Sequence, residues 1–376
     1  MHILTGILTS LILTFAALAQ GLPQDVADAY RAYEAAVDAE NWAEATAQAE
    51  TAWRAAEAGD VDAATTTILA ANYGEVALIS GDNAGAAEAY ERAAELGEAS
   101  HGHENELGRY LVFAARARRA LGEYAPAIDL AERSIEHFSS LPEGDARYGG
   151  LYQANTIAAY AANSLEHFRR SGRFAQRGME AMRYFGPVSN PDIALLAYLA
   201  AIQANRQNNR EDALYYILVS RMIAGNLEMD EEFRENSYAM QNHIMARTDA
   251  QYFDAVYDRI RASGYVPRQC FYINSCQEPG TETPAGVQNS VPLLRIPPRY
   301  PSAGFDHNSE GYVDITFNIS AEGRVVDVEV TDASSSIFVR PALTAIRHWR
   351  YWPRNENGVD VAREGVQTRI QFMIED

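Results

Sequence analysis

The chain contains no lysine: all 31 basic residues are arginine, set against 51 acidic ones, for a net charge of −20. That absence excludes several functions at once. An acidic chain without lysine is a poor ligand for a phosphate backbone. It has no P-loop lysine, no Schiff-base lysine and no Ser-x-x-Lys nucleophile pair. Gly-x-Ser-x-Gly, His-Glu-x-x-His and Gly-x-Gly-x-x-Gly are missing too, and with them the commonest hydrolase, zinc-protease and dinucleotide signatures. His101-Gly102-His103-Glu104 is the one tight His/carboxylate cluster, and a His-x-His in a loop is more often a solvated turn than a metal site. No catalytic residue, cofactor or metal ligand is expected, and a non-enzymatic protein is the reading left standing.

Cysteine is almost as scarce. Cys270 and Cys276 are the only two, in a segment that also holds Pro267, Pro279, Pro284 and Pro292. In an oxidising compartment two lone cysteines this close read as a disulfide. Zinc would need two further ligands, and a redox pair normally has Cys-x-x-Cys spacing. Long apolar runs are limited to Ile3–Ala19, about 17 residues, short for a membrane span. Ala17-Leu18-Ala19 before Gln20 fits a small-x-small cleavage site, although the leading residues hold no Lys or Arg. Residues 1–19 are therefore expected to be a signal peptide, or a short uncleaved anchor, and the rest to be exported.

What the chain has in abundance is alanine at helical spacing, from Gln24 to about Gly264. Asn41-Trp42, Asn83-Ala84 and Glu123-Tyr124 each open a helix after a short turn, and Ala45, Ala86 and Ala127 lie 41 residues apart. Periods of this length indicate stacked helical repeats. Leu121-Gly122-Glu123-Tyr124, with Ala127-Ile128 after it, resembles the middle of a tetratricopeptide repeat. Gly74, Ala115 and Ala201 are small residues twelve positions before an alanine of the pattern, which lets two helices approach closely. A fourth unit is expected near Gly172-Arg173-Phe174, with Arg177 in place of the alanine. A fifth is expected near Asn209, and a capping pair over 230–263. Residues 24–264 are expected to form an all-α, TPR-like helical repeat domain, and 265–295 a linker.

Alternation takes over after Ile296. Val313, Ile315, Phe317 and Ile319 share one face of a strand, Val326, Val328 and Val330 one face of the next, and Val366 to Ile374 alternate again. Ser334-Ser335-Ser336 offers caps for an intervening helix with Ala342, Ile346 and Trp349 on its apolar stripe, and Pro341 is expected in its first turn. Pro353 and Arg354–Gly358 are expected to stop that helix. The expected unit, 296–376, is a small α+β domain of three antiparallel strands and one helix. The third strand lies beside the first, in the order second, first, third.

The run Tyr300-Pro301, Glu310-Gly311, Gly323, Ser334-Ser335, Ala342 to Ala345 with Trp349-Arg350-Tyr351 and Pro353, and Asn357-Gly358 resemble the TonB C-terminal domain. The resemblance covers about 80 of the 376 residues. It implies a periplasmic module that grips a segment of an outer-membrane transporter by strand addition, as energy transducers do. On that reading the outer edge of Val366–Ile374 accepts the partner strand. Gln367, Arg369, Gln371 and Met373 would flank that strand, and Arg299, Tyr300 and Pro301 would lie near it. Energy transduction in transmembrane transport would further require a retained inner-membrane anchor and a motor complex. The alternative is a periplasmic scaffold or adaptor whose C-terminal domain only docks or forms a homodimer. The helical body is expected to fold without that domain.

Overall fold

The computed structural model describes residues 22–99, 104–186, 190–225, 227, 229–248, 251–263, 287–301 and 310–373. Residues 1–19, His101, His103, Cys270 and Cys276 fall outside them, so the signal-peptide, metal-cluster and disulfide expectations do too. The chain divides into two compact units, Met1–Tyr184 and Phe185–Asp376. The division falls inside the helical region and not in 265–295.

The first unit is eight helices in four antiparallel pairs: α1 (Gln24–Asp38) with α2 (Trp42–Ala58), α3 (Ala63–Ser80) with α4 (Asn83–Ala99), α5 (Glu104–Ala120) with α6 (Tyr124–Ser140), and α7 (Asp145–Ser164) with α8 (Phe168–Met182). Their turns repeat. A residue with positive φ, Glu40, Gly81, Gly122 or Glu166, ends each tight connection. Asn41 and Asp82 then cap the second helix by accepting from Glu44 N and Gly85 N. The backbone N–H groups of Ala45, Ala86, Ala127 and Ser171 each bond back to the capping residue's carbonyl. All four are buried.

That register corrects the fourth unit. Its second helix begins at Phe168, and Ser171, not Arg177, holds the place of the alanine. Twelve residues earlier stands Ala159, and the Ser171 hydroxyl donates to the Ala159 carbonyl at 2.9 Å. The small-residue pair is therefore present, closed by a hydrogen bond. It is hard to see in the sequence because Ser171 stands where Ala45, Ala86 and Ala127 stand elsewhere.

Close approach is enforced at Gly74, where a Cβ would sit 2.7 Å from the buried Tyr90 ring. Tyr90 is itself stacked on Phe113 at 5.1 Å, so it has little room to yield. Gly74→Val should destabilise the first unit by about 2 kcal/mol through overpacking, measured by urea unfolding of the full chain. Ion pairs link successive second helices, Glu57 with Arg92 at 2.7 Å, Glu98 with Arg133 at 2.5 Å and Glu132 with Arg170 at 2.9 Å. Half-exposed as they are, each adds under about 1 kcal/mol.

The second unit opens with α9 (Pro191–Arg206), α10 (Arg210–Ala224), α11 (Glu231–Arg247) and α12 (Gln251–Ser263). Asn190, Asn209 and Asp230 cap three of them through their side chains. The fifth repeat is in register, with buried Ala213 N bonded to Asn209 O.

The C-terminal domain follows in the same unit. Its main sheet is β3 (Gly311–Ile319), β4 (Val325–Ala333) and β8 (Arg363–Phe372), antiparallel in the expected order β4-β3-β8. Val313, Ile315, Phe317 and Ile319 are buried against α13 (Ser336–Ile346), with Phe338, Ala342 and Ile346 facing them. Three local expectations are corrected. The helix begins at Ser336, which puts Pro341 in its interior, because the core claims Phe338 at its start. Ser335 stands at its N-cap without a side-chain hydrogen bond. Arg354–Gly358 does not merely stop a helix: β6 (Arg354–Glu356) and β7 (Val359–Val361) form a hairpin through Asn357 and Gly358, both at positive φ.

Two short strands lie where linker was expected. β1 (Val287–Gln288) pairs with β6, and β2 (Val291–Leu294) pairs with β5 (Arg350–Trp352). Leu293 and Leu294 are buried there, so this stretch belongs to the domain's packing.

Candidate partner-binding edge

β8 is the last strand in its sheet, and among the described residues no strand pairs with its outer side. Which of its backbone groups face outward follows from its neighbour. Tyr312 on β3 spends its N–H on the Ser334 hydroxyl at 2.8 Å and its carbonyl on Ser334 N at 3.0 Å, both on the β4 side. Tyr312 stands opposite Gln371, so that pair is of the non-hydrogen-bonded kind, and Gln371's N–H and C=O point away from β3. By the two-residue period Arg369 and Gln367 direct theirs the same way. The open edge is a row of backbone groups from Gln367 to Gln371.

The side chains of these three residues are exposed on the face away from α13, as is Met373 beyond the strand end. Arg369 is already engaged. It forms a two-point ion pair with Asp314 at 2.6 and 2.7 Å, and its guanidinium lies 4.0 Å over the Tyr312 ring. This pair holds the Asp314 carboxyl below the ordinary range. Tyr312 in turn donates to Asp332 at 2.9 Å. The helix-free face is thus a tied polar surface.

The Arg299-Tyr300-Pro301 run lies on the other face. Tyr300 packs edge-on to Phe338 and to Phe372 of β8, with centroids 6.0 and 6.1 Å apart. It therefore reaches the end of the edge strand from the core side. Arg299 turns elsewhere, donating to the Ala246 carbonyl of α11 at 3.4 Å.

Sequence reasoning missed what fastens α12 to this domain. Tyr257 is buried and donates its hydroxyl to two carbonyls, Glu322 at 2.5 Å and Tyr351 at 2.9 Å. Burial pushes its pKa up, so the hydroxyl stays a donor across the physiological range. Gly323, at positive φ, makes room: a Cβ there would lie 2.1 Å from that hydroxyl. Arg350, 4% exposed, pairs with Asp254, which Arg324 also reaches at 2.9 Å. Arg261 meets Asp360 at 3.1 Å. These partners are about 60 to 100 positions apart in sequence, and only the lone aromatic and acidic residues on α12 hinted at them.

The domain is thus a three-stranded antiparallel sheet, β4-β3-β8, with one helix packed on a face and β8 at an edge. Residues 296–374 match the family described as Gram-negative bacterial TonB protein C-terminal, so the chain carries a TonB C-terminal domain. It is 32% identical over 96 residues to protein TonB of Pseudomonas aeruginosa, covering 23% of this chain and 28% of that protein. With protein TonB of Escherichia coli it is 31% identical over 83 residues, covering 22% and 32%. The chain thus spans about a third of the length of these curated relatives. Among solved structures the apo form of RapI is similar at 12% identity and a TM-score of 0.46, over 66% of this chain and 67% of that one, too slight a likeness to assign a fold. Among the described residues no helix is long and apolar enough to cross a membrane, and no cluster of three or more His, Cys, Asp or Glu could hold a metal ion.

Proposed function

We propose that this TonB-family chain is a non-enzymatic periplasmic protein that takes an extended segment of an envelope partner as a fourth strand on β8. The partner class is the periplasm-facing segment of an outer-membrane transporter. The observation that carries the reading is the outward row of backbone groups from Gln367 to Gln371, with no strand beyond it among the described residues. The main chain would supply affinity, and alternate side chains would supply selectivity, with Tyr300 and Met373 at the end of the strand. Energy transduction adds the demand that Ile3–Ala19 be kept as an anchor and reach an inner-membrane motor. Processing at Ala19–Gln20 would leave a periplasmic adaptor instead. The test is titration of the full chain with synthetic peptides copying periplasm-facing transporter segments, together with mass spectrometry of the native N-terminus. Saturable binding is expected. Failure of every peptide to bind would overturn the strand-addition reading. A mature chain starting near Gln20 would remove direct energy coupling.

A further inference from the structure

The second unit holds a groove of about 670 Å³ that meets the β8 edge only at Tyr300. That volume lies within the range of ligand-binding sites, roughly 300–1,000 Å³. Met245 of α11, Phe253 of α12, and Tyr300 and Ala345 of the C-terminal domain give it an apolar lining. The groove therefore exists only where the helical repeats meet the domain. Its charged groups are both cationic. Arg299 and Arg340 line it, both are exposed, and among the described residues no carboxylate lines it. Among the described residues Arg340 has no ion partner, and Arg299 has only the Ala246 carbonyl. Arg54, Arg92, Arg118, Arg133 and Arg170 of the first unit's repeats are each paired with glutamate, whereas these two stand open at an apolar cleft.

Four prolines, Pro297, Pro298, Pro301 and Pro341, also line the groove. None has an N–H to offer, so these four positions give an incoming strand no backbone donor. Recognition falls to insertion of apolar side chains and to the two guanidiniums, whose planar donor sets match carboxylates. His348 at the groove is held neutral by burial and by the nearby Arg350, with Asp254 opposing and Arg347 adding to the effect, which leaves the arginines as its positive charges.

We infer that this groove binds a short acidic peptide segment that carries one or two large apolar side chains beside its carboxylates. Charge complementarity selects an anion, and the apolar lining selects a side chain to accompany it. The half-open shape favours a peptide, whose main chain tolerates water, over a fatty acid, whose tail would be left partly wet. The site stands whether or not a strand adds to β8.

The test is fluorescence titration of the full chain with a panel of synthetic octapeptides. Each carries an adjacent leucine-phenylalanine pair and an aspartate-glutamate pair at varied spacing, with asparagine-glutamine counterparts and dodecanoate as comparisons. At least one acidic peptide should bind, and its amide counterpart should bind at least about tenfold more weakly. Arg340→Glu should cause a similar loss, and Thr344→Trp, which fills the groove from an exposed position, should abolish binding. Gln371→Pro should leave it unchanged, which separates this site from the edge strand. Absence of any preference for acidic over amide peptides would overturn the inference. So would binding that survives both Arg340→Glu and Thr344→Trp, or dodecanoate binding more tightly than every peptide.

Discussion

Asp254→Ala should lower the stability of the second unit by about 2–3 kcal/mol, which corresponds to roughly 5–10 °C in melting temperature. Arg350 is 4% exposed, and its guanidinium rests on Asp254 and on the carbonyls of Arg347 and Trp349. Removing the carboxylate leaves that buried charge with only neutral acceptors. Losing one partner of a fully buried pair typically costs about 3–5 kcal/mol. The figure is smaller here because Asp254 is itself 48% exposed. Arg350→Met, which removes the charge and keeps the bulk, should cost less than Asp254→Ala. The pH dependence has a definite sign. Partial burial of the Asp254 carboxyl pushes its pKa up, but hydrogen bonding and attraction to Arg350 and Arg324 outweigh it and hold the group below the ordinary carboxylate range. A lowered folded-state pKa stabilises above the unfolded value, and that contribution is lost as pH falls through the folded one. The gap between wild type and Asp254→Ala should therefore be full near neutral pH and should shrink in acid. Differential scanning calorimetry of both proteins from pH 7 to pH 3 measures it.

Gln371→Pro should weaken strand addition at least about tenfold while leaving the domain folded. Gln371 directs its N–H outward, since its neighbour Tyr312 spends its own backbone groups on Ser334. Proline is tolerated on an edge strand when the missing N–H faced solvent. Ile370 and Phe372, buried on either side, are untouched. The variant should keep its circular dichroism spectrum and bind transporter peptides at least about tenfold more weakly, through the lost donor and the ring standing in the ladder. Ile370→Pro is the contrasting change. Its N–H faces β3, so it should unfold the sheet.

The sheet was legible because one buried face imposes a two-residue alternation, and the alternation from Val313 to Ile319 shows which face. Strand order followed from topology, since a strand reached through a helix cannot take the place of a hairpin partner. The repeats were legible where alanine holds the buried place early in the second helix, at Ala45, Ala86, Ala127 and Ala213. The fourth unit was obscured because Ser171 holds that place instead. The Asn357-Gly358 hairpin signal is a local one that stood in the sequence and competed with its reading as a helix stop. The attachment of α12 had no such local sign. Tyr257 donates to main-chain carbonyls, and a carbonyl acceptor leaves no mark on the sequence at its own position. The groove lined by Arg299 and Arg340 was hidden for the same reason: it is assembled from segments far apart in the chain.

Amide hydrogen exchange along β8, with and without a transporter peptide, tests strand addition most directly. In the free protein the amides of Thr368 and Ile370 should exchange slowly, and those of Gln367, Arg369 and Gln371 quickly. Saturating peptide should slow the second set and leave the first set little changed. Binding that leaves Gln367, Arg369 and Gln371 unprotected, or protection of all three before any peptide is added, would contradict an edge that waits for a partner strand.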